Sequence, residues 1–461
     1  MLGIVDRAHS RRDFLSIGSL ALGGMSLPGL LTPQARGAVA NGLATGKSVI
    51  LLFMHGGPAQ TETFDPKMSA PAEVRSQTGE LKTSIPGVTF GGSFEKLAAL
   101  AHQMTIVRSF VPGDARHDIK PVVCSDSLDA NLGSVYSRVV GQNSTDNGLP
   151  TNCMLFPRAV DPATMPGIMK FGKFDSTGEL GGAYAPFMPS SSGVMQENMK
   201  LKIPMDRLDD RRSLLAGLDR MKRKLDSQTA TGVDSLRQQA FDAILGGAVD
   251  AFDLAKEDPR TLAAYDTSKL VNPDQIRTKW ANYKRYIDNG KSLGKLLLLA
   301  RRLCERGVGF VTVTTNFVWD MHADANNATM VEGMRYMAPP FDHAVAAFLN
   351  DVQQRGLSDD ILLVCCGEMG RNPKVNNRGG RDHWGSLGPL MLSGGGIPLG
   401  QVIGQSTGDA GRPQTAPIGI SNLIGTIFHT LFDVGELRIA RTAPTSITNT
   451  LANYDPIPGL H

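Results

Sequence analysis

Residues 48–58 read SVILLFMHGGP. From Val49 to Met54 nothing polar interrupts the run, and it stops abruptly at His55-Gly56-Gly57-Pro58. A strand with one wet face alternates apolar and polar residues. An unbroken apolar run marks a strand covered on both faces, as in the middle of a parallel sheet. The pattern recurs along the chain. MTIV (104–107) stops at Arg108-Ser109, VGFVTV (308–313) at Thr314-Thr315-Asn316, ILLVCC (361–366) at Gly367-Glu368, and LML (390–392) at Ser393-Gly394-Gly395-Gly396. Helical periodicity fills the gaps, over 94–103, 293–306 and 341–355. The last two stretches close on Gly307 and Gly356, which suit a helix C-terminus. Alternation of this kind predicts an α/β fold, a doubly wound and mostly parallel sheet. Residues 205–290 are charged and carry helical but no strand patterns. They read either as a solvated linker or as a helical insertion within one domain over 41–461. Phe252, Leu254 and Tyr265, which look like buried positions, favour the insertion.

The composition is that of an ordinary globular chain. The 461 residues are 41% hydrophobic and 20% charged, with a net charge of +3. No basic or acidic excess points to nucleic acid or an anionic surface. The first forty residues stand apart. Ser10-Arg11-Arg12-Asp13-Phe14-Leu15 is a twin-arginine motif, a glycine-broken apolar stretch runs to about Leu31, and Ala38-Val39-Ala40 offers a cleavage site. The apolar stretch is too short for a stable membrane span. The expectation is a signal peptide over 1–40, passage through the twin-arginine translocase, and a periplasmic or extracellular protein. Removing residues 1–40 takes away four basic and two acidic residues and lowers the net charge from +3 to +1. The five cysteines show no C-x-x-C spacing, so neither a cysteine zinc site nor a disulfide framework is expected.

In open parallel sheets, ligands gather beyond the carboxyl ends of the strands. The chemically unusual residues fall there. His55 ends the first strand, Asp320 and His322 follow the strand through Val313, Glu368 ends the strand through Cys366, and His383 lies on the loop beyond. Imidazole and carboxylate together suit zinc, manganese or iron better than calcium or magnesium, with zinc or manganese the expected ion. A carboxylate at a dry strand end needs a cation, and Arg371 or Arg381 could supply it instead of a metal. The residues therefore read as a metal site (His55, Asp320, His322, Glu368, His383) or as a glutamate–arginine structural pair with hydrogen-bonded histidines. His117-Asp118, after another strand, lies either in this site or on the surface. HGGP lacks an accompanying G-x-S-x-G, so a serine-hydrolase elbow is not indicated. Gly394-Gly395-Gly396 reads as a turn, not a phosphate cradle.

The stretches FMHGGPAQTETFDPK (53–67), RSFVPGDARHD (108–118), WDMHADANN (319–327), GEMGRNPKVNNRGGRDHWG (367–385) and GGGIPLGQVIGQS (394–406) resemble the domain-of-unknown-function family 1501. The resemblance runs from about residue 47 to about residue 458. Members of that family are commonly twin-arginine-exported and sulfatase-like, and belong to the alkaline-phosphatase-like superfamily. It implies an alkaline-phosphatase-like α/β/α sandwich with a mostly parallel central sheet and two metal positions. Asp320, His322 and His383 are similar to one ligand set, and Glu368 resembles a ligand of the second. His55 stands where an acid usually ends the first strand. The formylglycine context of sulfatases is not matched by Cys124-Ser125-Asp126-Ser127-Leu128. The function implied is an exported, metal-dependent hydrolase of phosphate or sulfate esters, small-molecule or polysaccharide. Arg371, or else Arg381, would hold a non-bridging ester oxygen, and His117 would assist catalysis. The alternative is a non-catalytic binding protein of the cell envelope that keeps the fold.

Overall fold

The computed structural model describes residues 42–144, 146–189 and 248–461. The twin-arginine leader over 1–40, and the part of the helical insertion from 205 to 247, lie outside the described residues.

Seven strands form the main sheet: β1 (Ser48–Phe53), β4 (Thr105–Val107), β5 (Asn152–Leu155), β6 (Phe310–Thr314), β7 (Ile361–Cys366), β10 (Leu390–Gly394) and β11 (Gln401–Ile403). Two short ribbons are the other paired strands among the described residues. One pairs β2 (Glu80–Lys82) with β3 (Thr89–Gly91), and the other pairs β8 (Gly370–Arg371) with β9 (His383–Trp384). The order in the large sheet is β11-β4-β10-β7-β1-β6-β5. β1 pairs in parallel with both β6 and β7, β5 with β6, and β11 with β4, whereas β10 runs against both of its neighbours. Every strand but β10 therefore points the same way, so one edge of the sheet collects the carboxyl ends of β1, β4, β6 and β7.

The unbroken apolar runs follow from burial on both sides. Ile50 and Leu52 of β1, with Met54 just beyond it, enter one core, and Val49, Leu51 and Phe53 enter another. β7 splits the same way, with Leu363 and Cys365 on one face and Val364 and Cys366 on the other. The adjacent cysteines thus project to opposite faces and are core residues. Helices α1 (Leu132–Val140) and α4 (Ile420–Leu431) cover the Val49 face through Val135, Val139, Leu423 and Ile427. Helices α2 (Tyr283–Glu305) and α3 (Met330–Gln354) cover the Ile50 face through Leu293, Leu297, Met337 and Phe341. Each such fully buried side chain contributes roughly 1.5–3 kcal/mol. The result is the three-layer α/β/α sandwich that the resemblance implies.

Several boundaries differ from the sequence reading. β5 and β11 are strands that the apolar runs of the sequence do not predict. α2 begins ten residues before Leu293, because its first turns bury Asp288, Asn289 and Ser292, where apolar periodicity would not look. α3 begins eleven residues before Phe341 and runs through Pro339 and Pro340, which read as a break. It starts on Thr329, whose hydroxyl accepts from Glu332 N, a side-chain cap. Among the described residues no helix is long and apolar enough to cross a membrane.

Candidate metal centre

Three segments deliver one cluster. The loop after β4 carries His117, the loop after β6 carries Asp320 and His322, and β9 carries His383. One ligand atom from each of His117, Asp320, His322 and His383 lies within 4.8 Å of every other. Nε2 of His322, His117 and His383 stand 2.7, 3.3 and 3.4 Å from the same Asp320 Oδ1. The remaining oxygen of Asp320 accepts from Asn327 Nδ2 at 2.9 Å, so the carboxylate cannot turn away. In the β8–β9 ribbon Arg371 lies opposite His383, which sends both side chains to one face of the ribbon and onto Asp320.

The glycines of HGGP set the approach. Gly56 has φ +111°, and a Cβ there would fall 2.6 Å from the backbone nitrogen of Asp320. Gly57, at φ +82°, would press a Cβ to 2.7 Å from Met369 Cγ. The Asp320 loop is itself held in unusual backbone: Asn316, Phe317 and Ala323 all have positive φ. Such strain persists only where the surroundings over-determine it, and it gathers at sites.

Glu368 and His55 were expected as ligands, but they lie behind the cluster of four. Glu368 is fully buried; it accepts from Gly56 N (2.9 and 3.1 Å) and faces His117 Nδ1 at 2.8 Å. A carboxylate only accepts, so the Nδ1 proton of His117 belongs to this contact and Nε2 is turned toward Asp320. Carboxylate, histidine and metal commonly line up in this order. His55 is 1% exposed and packed against Phe53, Phe171, Phe174 and Phe317. Burial pushes its pKa down to about 4, against the opposing pull of Glu368, and its Nε2 has no hydrogen-bond partner among the described residues.

Arg371 lies directly against the cluster. It is 0% exposed, and all its N–H groups are engaged: with Gly57 O, Gly56 O, Arg381 O, His322 Nε2, and Asp320 Oδ1 at 2.5 Å. With His322 Nε2 beside Nη1 and Asp320 Oδ1 on Nη2, the guanidinium is turned onto the cluster's own residues. Arg381 is buried too, bonded to Glu62 Oε1 and to carbonyls of Pro373, Val74 and Arg75. His117, which the sequence left between site and surface, is one of the four. Its loop is tied down by Lys120, whose Nζ reaches Asp114 Oδ1 and Asp118 Oδ1, each at 2.6 Å.

Burial alone would raise the Asp320 carboxyl. Arg371 and the three histidines outweigh burial and hold it far below the usual carboxylate range. Burial would lower His117, but its bonds to Asp320 and Glu368 prevail and raise it. His383 is lowered, first by burial and then by Arg371 and its neighbouring histidines.

Sequence reasoning left Asn327, Asp382, Phe171 and Phe317 without a role. Asn327 and Asp382 stand inside the quoted stretches, and Asp382 Oδ1 lies 3.5 Å from His322 Nδ1. The two phenylalanines stack on each other at 4.6 Å and flank His117 at 5.0 and 4.9 Å. Nothing local in the sequence joins residues 117, 171 and 317.

The donor set fits a divalent transition metal: three imidazole nitrogens and one carboxylate oxygen, with carboxylates behind two of the imidazoles. His322 Nε2 and His383 Nε2 lie 2.6 Å apart, a separation at which two bare lone pairs repel unless a proton or a cation relieves them.

Three solved structures are similar at a distance. A sulfatase from Pseudoalteromonas sp. matches at TM-score 0.38 and 11% identity, over 97% of this chain and 75% of its own. A phosphonate monoester hydrolase from Silicibacter pomeroyi matches at 0.32 and 9%, over 90% and 78%. Another, from Agrobacterium radiobacter, matches at 0.25 and 11%, over 79% and 71%. None of these likenesses bears on the assignment of the site. No curated protein matches the chain. The model of the family described as protein of unknown function (DUF1501) matches residues 46–437, and the chain belongs to that family.

Proposed function

We propose that the protein is an exported, metal-dependent hydrolase of phosphate or sulfate esters. The observation that carries this reading is the convergence of three histidine nitrogens on Asp320 Oδ1. His117, Asp320, His322 and His383 would hold a divalent ion, zinc or manganese, and that ion, when bound, would supply Lewis acidity toward an ester oxygen. The chain's own residues do the rest. Arg371 fixes Asp320, Glu368 keeps the proton of His117 on Nδ1, and Phe171 and Phe317 wall the cluster with apolar surface. A dry wall strengthens every electrostatic contact inside it. Export through the twin-arginine translocase to a periplasmic or extracellular location rests on the SRRDFL motif and the stretch after it.

Elemental analysis of the protein lacking residues 1–40 tests the reading, together with a panel of aryl phosphate, phosphodiester and sulfate esters. The expected result is stoichiometric zinc or manganese, a melting temperature that falls on chelation and recovers on reloading, and turnover lost in Asp320→Ala. Protein that stays metal-free, with a melting temperature indifferent to added metal, refutes it. Metal and anion binding without turnover of any ester would point instead to a non-catalytic binding protein of the cell envelope.

A further inference from the structure

The loop 165–174, MPGIMKFGKF, carries no motif, yet it builds one wall of the cluster. It is pinned at several points. Met165 N donates to Asp288 Oδ2 at 2.7 Å, and Ile168 N donates to Asn316 Oδ1 at 3.2 Å. Arg285 Nη1 donates to Pro166 O at 3.2 Å. Gly172 sits so close to the His117 loop that a Cβ would meet Ile119 Cγ1 at 2.6 Å. Phe171 is thereby set at a fixed height beside the cluster. One of its faces stacks on Phe317, with planes 26° apart. Over the ring also stands the ammonium of exposed Lys170, 4.6 Å from the centroid. An aromatic face attracts cations and the electron-poor edges of other rings. Lys170, exposed and long, is the kind of cover that a ligand displaces at small cost.

From this arrangement, and resting on the hydrolase reading above, we infer that Phe171 is a specificity-determining platform for a ring on the leaving group of the ester. The ester's anionic end faces His117, His322 and His383. The ring, aryl or pyranose, lies on Phe171 in place of the Lys170 ammonium, which is then free to pair with negative charge on the ligand. The favoured substrates are ring-bearing esters and not short linear ones.

The test is calorimetry on the zinc-loaded protein, with phosphonates whose carbon–phosphorus bond keeps the probe intact: phenylphosphonate, a glucose 6-phosphonate and n-butylphosphonate, with inorganic phosphate as reference. Wild type should bind at least one ring probe about threefold to tenfold more tightly than the butyl probe. The ring that gains identifies the leaving group as aryl or sugar. Phe171→Leu keeps the apolar bulk that packs the loop and removes the π face. It should abolish the ring advantage, read as the ratio of ring-probe to butyl-probe affinity within the one variant, so that any change in anion binding common to both probes cancels. Equal affinity for ring and butyl probes in wild type overturns the inference alone, as does a ring advantage that survives Phe171→Leu. Failure of every probe, inorganic phosphate included, overturns it together with the hydrolase reading. A ring advantage without turnover of any ester sinks the hydrolase reading and, with it, the assignment of the ring to a leaving group.

Discussion

Replacing Glu368 by glutamine separates a metal ligand from a group that orients one. The Glu368 carboxylate is fully buried and accepts from Gly56 N and from His117 Nδ1. Glutamine has one oxygen for this work. If that oxygen faces His117, the amide nitrogen is left toward Gly56 N, donor against donor. If the amide turns round, it donates to His117 Nδ1 and drives the proton to Nε2, where the metal should bind. Either arrangement leaves a buried polar group unsatisfied, at about 1–3 kcal/mol. Loss of an outer partner of this kind lowers metal affinity by about 10–100-fold. Zinc competition against a chromophoric chelator should therefore show Glu368→Gln weaker by that factor, and Asp320→Asn weaker still. Glu368→Gln that binds like wild type would remove its orienting role. Glu368→Gln as crippled as Asp320→Asn would make it a ligand in its own right.

His55 predicts a pH effect of definite sign. Its pKa is about 4 in the fold and 6.5 in the open chain, so between those values the unfolded state binds the extra proton. The stability that this contributes is complete above pH 6.5 and drains as pH falls toward 4, by about 3 kcal/mol in all. Urea titrations at pH 7 and pH 4.5 should show His55→Leu losing less stability on acidification than wild type; equal losses would contradict the assignment. Gly56→Ala would force a side chain into left-handed backbone and against Asp320 N, which lies 2.6 Å from the built Cβ. It should cost at least about 1–3 kcal/mol and release metal, read by melting temperature and elemental content together. A variant that keeps both would mean that the 319–320 backbone yields freely.

The sheet was legible because its central strands are buried on both sides. SVILLF and ILLVCC have no alternation to misread, and each ends at a residue of the rim. β5, of four residues led by Asn152, and β11, of three led by Gln401, hold little pattern, and β4, as short as β11, is legible only because Met104 extends its apolar run. α2 hid its first turns by burying polar side chains, and α3 hid its own behind two prolines. At the site, residue types were readable and directions were not. Asp320, His322 and His383 advertise themselves by chemistry and place. That Glu368 faces His117, that Arg371 spends its donors on backbone carbonyls, and that Phe171 meets Phe317 are facts of contact between distant segments. A single sequence has no local pattern that encodes them.

The reversal at β10 has a bearing on how this protein could change. Leu390 lies in register with Cys366 of β7, so the chain leaves the sheet after β7 and re-enters it one strand over. Between those two points hang Glu368, Arg371, Arg381 and His383. A segment whose ends are fastened side by side is a cassette. It can grow, shrink or be exchanged without shifting the register of any strand, and each doubling of its length costs only about 0.6 kcal/mol in closure entropy. Variation among relatives in what the rim binds would be expected to concentrate there, while the sheet that carries it stays the same.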